Sequence, residues 1–132
     1  KCRALLDTCS TTNIISEHIV KRLSIPITSG TTSIGAINTT STESRGIVRV
    51  TVQSTRDDFR KKLTCWTISA NGDLIPSEIF PRESIKIPPN IKLANPDFHL
   101  LRPVDLLIES GAMLSLFSIG QINLSHAGHD LY

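Results

Sequence analysis

Ala4-Leu5-Leu6-Asp7-Thr8-Cys9-Ser10 decides how the rest of the chain is understood. A short apolar run delivers one carboxylate to its end, and small residues bearing hydroxyls or a thiol follow at once. A strand that stops on Asp-Thr puts an ionisable group where a tight loop can hydrogen-bond it. An Asp in this position is ordinarily a turn former or a helix cap. The small residues after Asp7 leave room for something more, either a substrate or a second copy of the same loop. No second Asp-Thr unit of this kind occurs in the chain, so a two-carboxylate site needs two chains related by a two-fold axis. Asp7 is the candidate catalytic residue on this basis.

The chemistry of such a pair is well defined. Two carboxylates brought within ~3 Å cannot both ionise, so one keeps its proton near neutral or mildly acidic pH. The ionised member can deprotonate water while the other protonates a carbonyl oxygen, which is general acid–base hydrolysis of an amide.

Working outward, the best helix signal follows the loop at Cys9 to Asn13. Ser16 is a natural N-cap, Glu17 suits the first turn, and Ile15 with Val20 matches a hydrophobic staple. Ile19, Val20 and Leu23 make the apolar stripe, and Pro26 stops continuation. Thr28 to Gly46 is rich in Ser, Thr and Gly, with isolated apolar residues at Ile34 and Ile37. Val48, Val50 and Val52 then alternate with Arg49 and Thr51 as a half-buried strand. Segments 31–38 and 47–53 can pair as a hairpin around Thr39 to Gly46. Its polar tip suits a cover over a cleft as well as an ordinary exposed turn. Leu63 to Ile68 is a further strand, with Trp66 and Ile68 on one face and Leu63 and Cys65 on the other.

The organisation then changes. Six of the seven prolines lie from Pro76 to Pro103, and proline removes ladder donors. Residues 69–103 are expected to form a surface insertion, with Ile79, Phe80, Ile85 and Ile87 available to pin it down. Val104 to Ile108 is a buried-strand candidate, Gly111 to Phe117 a short helix, and Gln121 to Leu124 a last short strand. The expected class is mainly β with one or two short helices.

Bulk properties narrow the function. The chain of 132 residues is of single-domain size and can bury ~65–70% of its unfolded surface. Its 39% hydrophobic and 20% charged residues are ordinary for a globular protein. A net charge of +2 gives no basis for direct nucleic-acid binding or for an acidic membrane surface, and no stretch reaches the ~18 apolar residues of a membrane span. Arg60-Lys61-Lys62 is most simply a solvated strand end. Cys2, Cys9 and Cys65 contain no CxxC and leave one thiol over under any pairing, as expected of free thiols in a reducing, intracellular compartment such as the cytoplasm. Cys9 with His18 lacks an orienting third group for nucleophilic catalysis, and His126 with His129 lacks further zinc ligands. No metal or cofactor is expected. Starting on Lys1 in what already reads as strand, the chain is expected to be a piece of a longer protein that lacks its N-terminal strand.

Two segments together resemble a known pattern. Arg3 to Ser10, followed by Ile14-Ile15 and Val20-Lys21-Arg22-Leu23, resembles the active-site strand and following segment of retropepsin-like aspartic proteases. More narrowly it is similar to the peptidase region of insect BEL/Pao-type retrotransposon polyproteins. Leu93 to His99, Val104 to Ile108 and Gly120-Gln121-Ile122 are similar to further segments of that family, so the likeness runs in order over most of the chain.

The resemblance implies a closed β-barrel, half of an acid protease, that dimerises with Asp7 of each subunit in the dyad. Thr8 would lock the two loops together, and Ser10 would bond the Asp7 carboxylate. Ile34, Gly35, Ala36 and Ile37 would belong to a flap over an extended polypeptide substrate bound through its main chain. Ile108, Glu109, Ser110 and Gly111 would face the site. The activity implied is cleavage of a retroelement polyprotein. The chain departs from the pattern twice, with Cys9 in place of the usual Gly and with Glu109 where Gly should follow Leu106-Leu107-Ile108. Glu109 would there add bulk and negative charge near the dyad. The alternative is a catalytically inactive relic that keeps the fold as a dimerisation or peptide-binding module. A ubiquitin-pathway shuttle protease of similar fold fits the fragment less well.

Overall fold

The computed structural model describes residues 1–34, 42–69 and 74–117. In chain order these form β1 (Ala4–Leu6), β2 (Ile14–Ser16), α1 (Glu17–Arg22), β3 (Thr28–Ile34), β4 (Thr42–Gln53) and β5 (Arg60–Ile68). β6 (Leu74–Ile75), a 3-10 turn at Arg82–Ser84, β7 (Arg102–Pro103), β8 (Leu106–Ile108) and α2 (Ser110–Leu114) complete them. The protein is mainly β with two short helices. One sheet runs in the order β1-β8-β2-β5-β4-β3, and β6 pairs with β7 in a separate ribbon.

β1 and β2 are joined by a single loop yet are not neighbours. β8 lies between them, parallel to β1 and antiparallel to β2. The apolar run Leu106-Leu107-Ile108 suits this place, because a strand flanked on both sides within a sheet can bury residues on either face. Leu106 and Ile108 are indeed buried.

The inner face of the sheet packs on both helices. Ile15, Ile19, Val20, Val48, Leu63, Cys65, Leu106, Ile108, Ala112 and Met113 form one buried cluster. In β5 the alternation is clean: Leu63, Cys65 and Thr67 point inward while Trp66 and Ile68 are only partly covered. Ser16 caps α1 by accepting from Ile19 N–H at 3.4 Å. Glu17 in the first turn pairs with Lys21 at 3.1 Å, worth only ~0.3–0.5 kcal/mol because Lys21 is solvated.

Several expectations change. β3 and β4 do form an antiparallel hairpin, but β4 begins at Thr42 rather than Ile47. The polar stretch before Ile47 can be buried because it carries its own hydrogen bonds. Ser44 and Thr67 are both fully buried, and each donates its hydroxyl to the Gly46 carbonyl at 3.2 Å. A Cβ on Gly46 would overlap Ile27 and come within 2.8 Å of the Thr28 carbonyl oxygen, so only glycine fits.

Closure is a second difference. Among the described residues the sheet is open, with β1 and β3 at its edges, rather than a closed barrel. Ile79 is a third: it is 66% exposed and pins nothing, whereas Phe80, Ile85 and Ile87 are partly covered. The insertion is instead closed at its base by the β6–β7 ribbon and carries a ring cluster of Phe80, Phe98 and His99 with centroids 5.6–6.4 Å apart. The expected strand at 121–124, the pair His126 and His129, and Gly120 lie outside the described residues.

All three cysteines are free thiols. Cys65 has no solvent exposure, and burial pushes its thiol up to about 12. At about pH 8 an alkylating reagent should therefore label Cys9 and spare Cys65 until the protein is unfolded. Equal labelling of both in the native state, read by mass spectrometry, would show that Cys65 is not enclosed as described.

Ser24, just past the Leu23 C-cap of α1, has φ of 51°, a left-handed conformation that costs a non-glycine side chain about 1 kcal/mol. Ser24→Gly should raise the urea midpoint by the equivalent of about 0.5–1 kcal/mol, and Ser24→Val should lower it. A destabilised Ser24→Gly variant would contradict this backbone assignment.

Candidate active site

The loop from Asp7 to Asn13 wraps over the C-terminal end of β8 and is held there by main-chain bonds. Asp7 N–H donates to the Ile108 carbonyl at 3.0 Å, extending the β1–β8 pairing by one residue. Ser110 N–H donates to the Ser10 carbonyl at 3.1 Å. Thus residues 108–110 lie against the Asp7 loop over its length. The Asp7 carboxylate accepts from Cys9 N–H through Oδ1 at 2.9 Å, an Asx turn that fixes the side chain on its own loop. Among the described residues nothing donates to its Oδ2. Asp7 is partly exposed, and Thr8 and Cys9 are exposed, with the Cys9 thiol 3.8 Å from the Thr8 hydroxyl.

Asn13, absent from the sequence expectations for the site, fastens the loop on three sides. Its Oδ1 accepts from Glu109 N–H at 3.0 Å, and its Nδ2 donates to the Thr64 carbonyl at 3.2 Å. Its own carbonyl accepts from Trp66 N–H at 2.9 Å. One residue thereby joins the Asp7 loop to β8 and β5. The signal was an amide side chain at a loop-to-strand boundary, a position where Asn commonly bonds backbone; its long-range partners are not legible from spacing.

Two expectations for individual side chains are corrected. Ser10 does not bond the Asp7 carboxylate: its hydroxyl donates to the Thr12 carbonyl at 2.8 Å and accepts from Thr12 N–H at 3.3 Å. Glu109 does not project its charge into the Asp7 loop. It is the N-cap of α2, accepting from Gly111 N–H at 2.5 Å and Ala112 N–H at 2.6 Å. A carboxylate there satisfies orphan helix donors and complements the helix dipole. Gly111 gives it room, since a Cβ at that residue would lie 3.1 Å from Glu109 Oε2.

The root of β1 is tied to the insertion. Arg3 donates its guanidinium to the carbonyls of Leu100 at 3.3 Å, Arg102 at 3.2 Å and Phe98 at 3.5 Å. Its main chain brackets Asp105, donating to Oδ2 at 2.9 Å and accepting from Asp105 N–H at 2.9 Å. The far end of the insertion is held by Arg56, whose Nη2 donates to the Leu93 carbonyl at 2.7 Å.

Among the described residues no group of His, Cys, Asp and Glu could hold a metal, and no helix is long and apolar enough to cross a membrane. β3 ends at Ile34, and Gly35, Ala36 and Ile37 lie outside the described residues. Comparison with protein-family models, with curated proteins and with solved structures finds no match to this chain.

Asn13→Ala removes two side-chain bonds and leaves the Glu109 amide without its acceptor. Stability should fall by about 1–3 kcal/mol, and hydrogen exchange at the Glu109 amide should accelerate. Asn13→Asp retains the acceptor, so that amide should stay protected. Unchanged exchange in Asn13→Ala would remove Asn13 from its fastening role.

Proposed function

We propose that this chain is a retropepsin-like aspartic endopeptidase domain of a BEL/Pao-type retrotransposon polyprotein, active as a homodimer. The supporting observation is the seating of Asp7. It directly follows β1, its backbone is locked to Ile108, and its Oδ2 has no donor among the described residues. A single chain places no second carboxylate on that loop, so the catalytic pair would be Asp7 and its copy across a two-fold axis. Leu6, immediately before Asp7, is 39% exposed, an apolar surface suited to cover by a second subunit.

In the dimer one Asp7 would be ionised and the other protonated, since two carboxylates at close range share a proton. The ionised oxygen takes a proton from water, and the water oxygen attacks the peptide carbonyl carbon. The protonated partner gives its proton to the carbonyl oxygen, producing a tetrahedral diol. Breakdown returns the electrons to the nitrogen, which is protonated as the amine leaves. Thr8 lies exposed on the same loop, where it can meet its copy. The β3–β4 hairpin would supply the cover that pairs with an extended substrate.

Glu109 is no obstacle to this chemistry, because its carboxylate is occupied at α2. Cys9 and Ser10 favour the second reading, an inactive module that dimerises or binds peptide. The thiol occupies the position beside Asp7, and the Ser10 hydroxyl is committed to Thr12.

Cleavage of a mixed peptide library at about pH 5 separates the two. Asp7→Asn should reduce turnover by about 10²–10⁴-fold, and specific activity should fall on dilution as dimers dissociate. Turnover independent of Asp7 would overturn the protease reading. A folded dimer with no turnover would select the binding module.

A further inference from the structure

We infer that the solvent face of the β4–β5 ribbon is a binding surface for single-stranded nucleic acid. The two strands pair Arg49 with Thr64, Thr51 with Lys62, and Gln53 with Arg60. Partners in register share a face, and all six residues of these pairs are exposed. Three cations thus stand together on one face, with no carboxylate from Arg49 to Gln53 of β4 or from Arg60 to Trp66 of β5. The net charge of +2 argues only against a protein-wide basic field, and it is the register that gathers these side chains.

Their availability is the second observation. Five cations of the described residues are committed elsewhere: Arg3 and Arg56 to the insertion, Arg22 to the Lys1 carbonyl, Lys21 to Glu17 and Arg102 to Asp97. Arg49, Arg60 and Lys62 have no hydrogen bond or ion pair among the described residues. Lys1, Lys61, Arg82, Lys86 and Lys92 are likewise without a partner among the described residues, but Lys61 alternates to the opposite face of β5 and the others lie off the ribbon. A shallow depression of about 310 Å³ lies between Arg49 to Thr51 and Lys62 to Thr64.

Geometry selects the occupant. Lys62 and Trp66 are the two diagonal neighbours of Arg49, and Arg60 follows Lys62 along β5. Diagonal and same-face neighbours stand ~7 Å apart, a spacing commensurate with successive phosphates of an extended strand. Trp66 ends the row with a partly exposed indole, bordered by Gly30, where a Cβ would come within 3.5 Å of the ring. A cationic row continued by an aromatic face is the combination that holds a phosphate backbone and stacks a base. An acidic polypeptide would use the charges but not the indole. The row ends at the turn bearing Asp57 and Asp58, which limits the footprint to a few nucleotides.

The test is fluorescence anisotropy of labelled uridine and thymidine homopolymers of about 12 nucleotides with the full chain. Three phosphate contacts predict a slope of log K against log salt of about −2, or about 16-fold weaker binding between ~50 and ~200 mM salt. The fluorescence of Trp66, the single tryptophan, should be quenched on binding. The triple variant Arg49→Ala/Arg60→Ala/Lys62→Ala should lose binding and flatten the slope, while Lys86→Ala/Lys92→Ala should bind as the parent does. Lys62→Glu, a single exposed change, should repeat the loss with an unaltered thermal transition. Absent binding at ~50 mM salt, or a triple variant that binds like the parent, would overturn the inference. So would equal binding of polyglutamate with Trp66 unquenched. None of these readouts depends on peptidase activity.

Discussion

The insertion of β8 between β1 and β2 is the constraint on which the structure depends. Because β8 is parallel to one and antiparallel to the other, the Asp7 loop must pass over its end. The loop then finds its hydrogen-bond partners on residues 108–110 instead of in water. Backbone groups that are half withdrawn from solvent have to be paired, and here the pairing immobilises the segment bearing the carboxylate. A loop fixed in this way can present Asp7 at a defined place, which a catalytic dyad would require.

Fastening extends outward from that crossing. Asn13 carries it to β5, Glu109 to α2, and Arg3 to the insertion. The three carbonyls bound by Arg3 lie four to eight residues upstream of β8 in the same return limb, at Phe98, Leu100 and Arg102. The Pro-rich segment is therefore attached to the root of the Asp7 strand as well as to the surface. Only the three residues of β1 separate Arg3, and with it the insertion, from Asp7.

Much of this was legible in residue pattern. Alternation located β4 and β5, and Ser16 with Glu17 located α1, because periodicity and caps are local properties. Proline content alone anticipated the strand-poor stretch between β6 and β7. Polar burial was not: Ser44 and Thr67 look like surface residues until the Gly46 carbonyl is brought to them by strand pairing. The same limit misdirected Glu109 and Ser10. Both residues adjoin the Asp7 loop, but side-chain direction depends on which donors and acceptors the fold supplies. Glu109 found the free N–H groups of α2, and Ser10 found Thr12. Closure of the sheet into a barrel is a long-range property, and the edges at β1 and β3 had no signature in sequence.

The proposed chemistry stands or falls on whether Asp7 has a twin. A crystal structure of the protein bound to a non-cleavable peptide analogue is the most direct measurement. The account predicts two subunits about a two-fold axis, with Asp7 carboxylates within ~3 Å of each other beneath the bound chain. Subunits whose Asp7 loops face apart, or a monomer that binds the peptide away from Asp7, would contradict it.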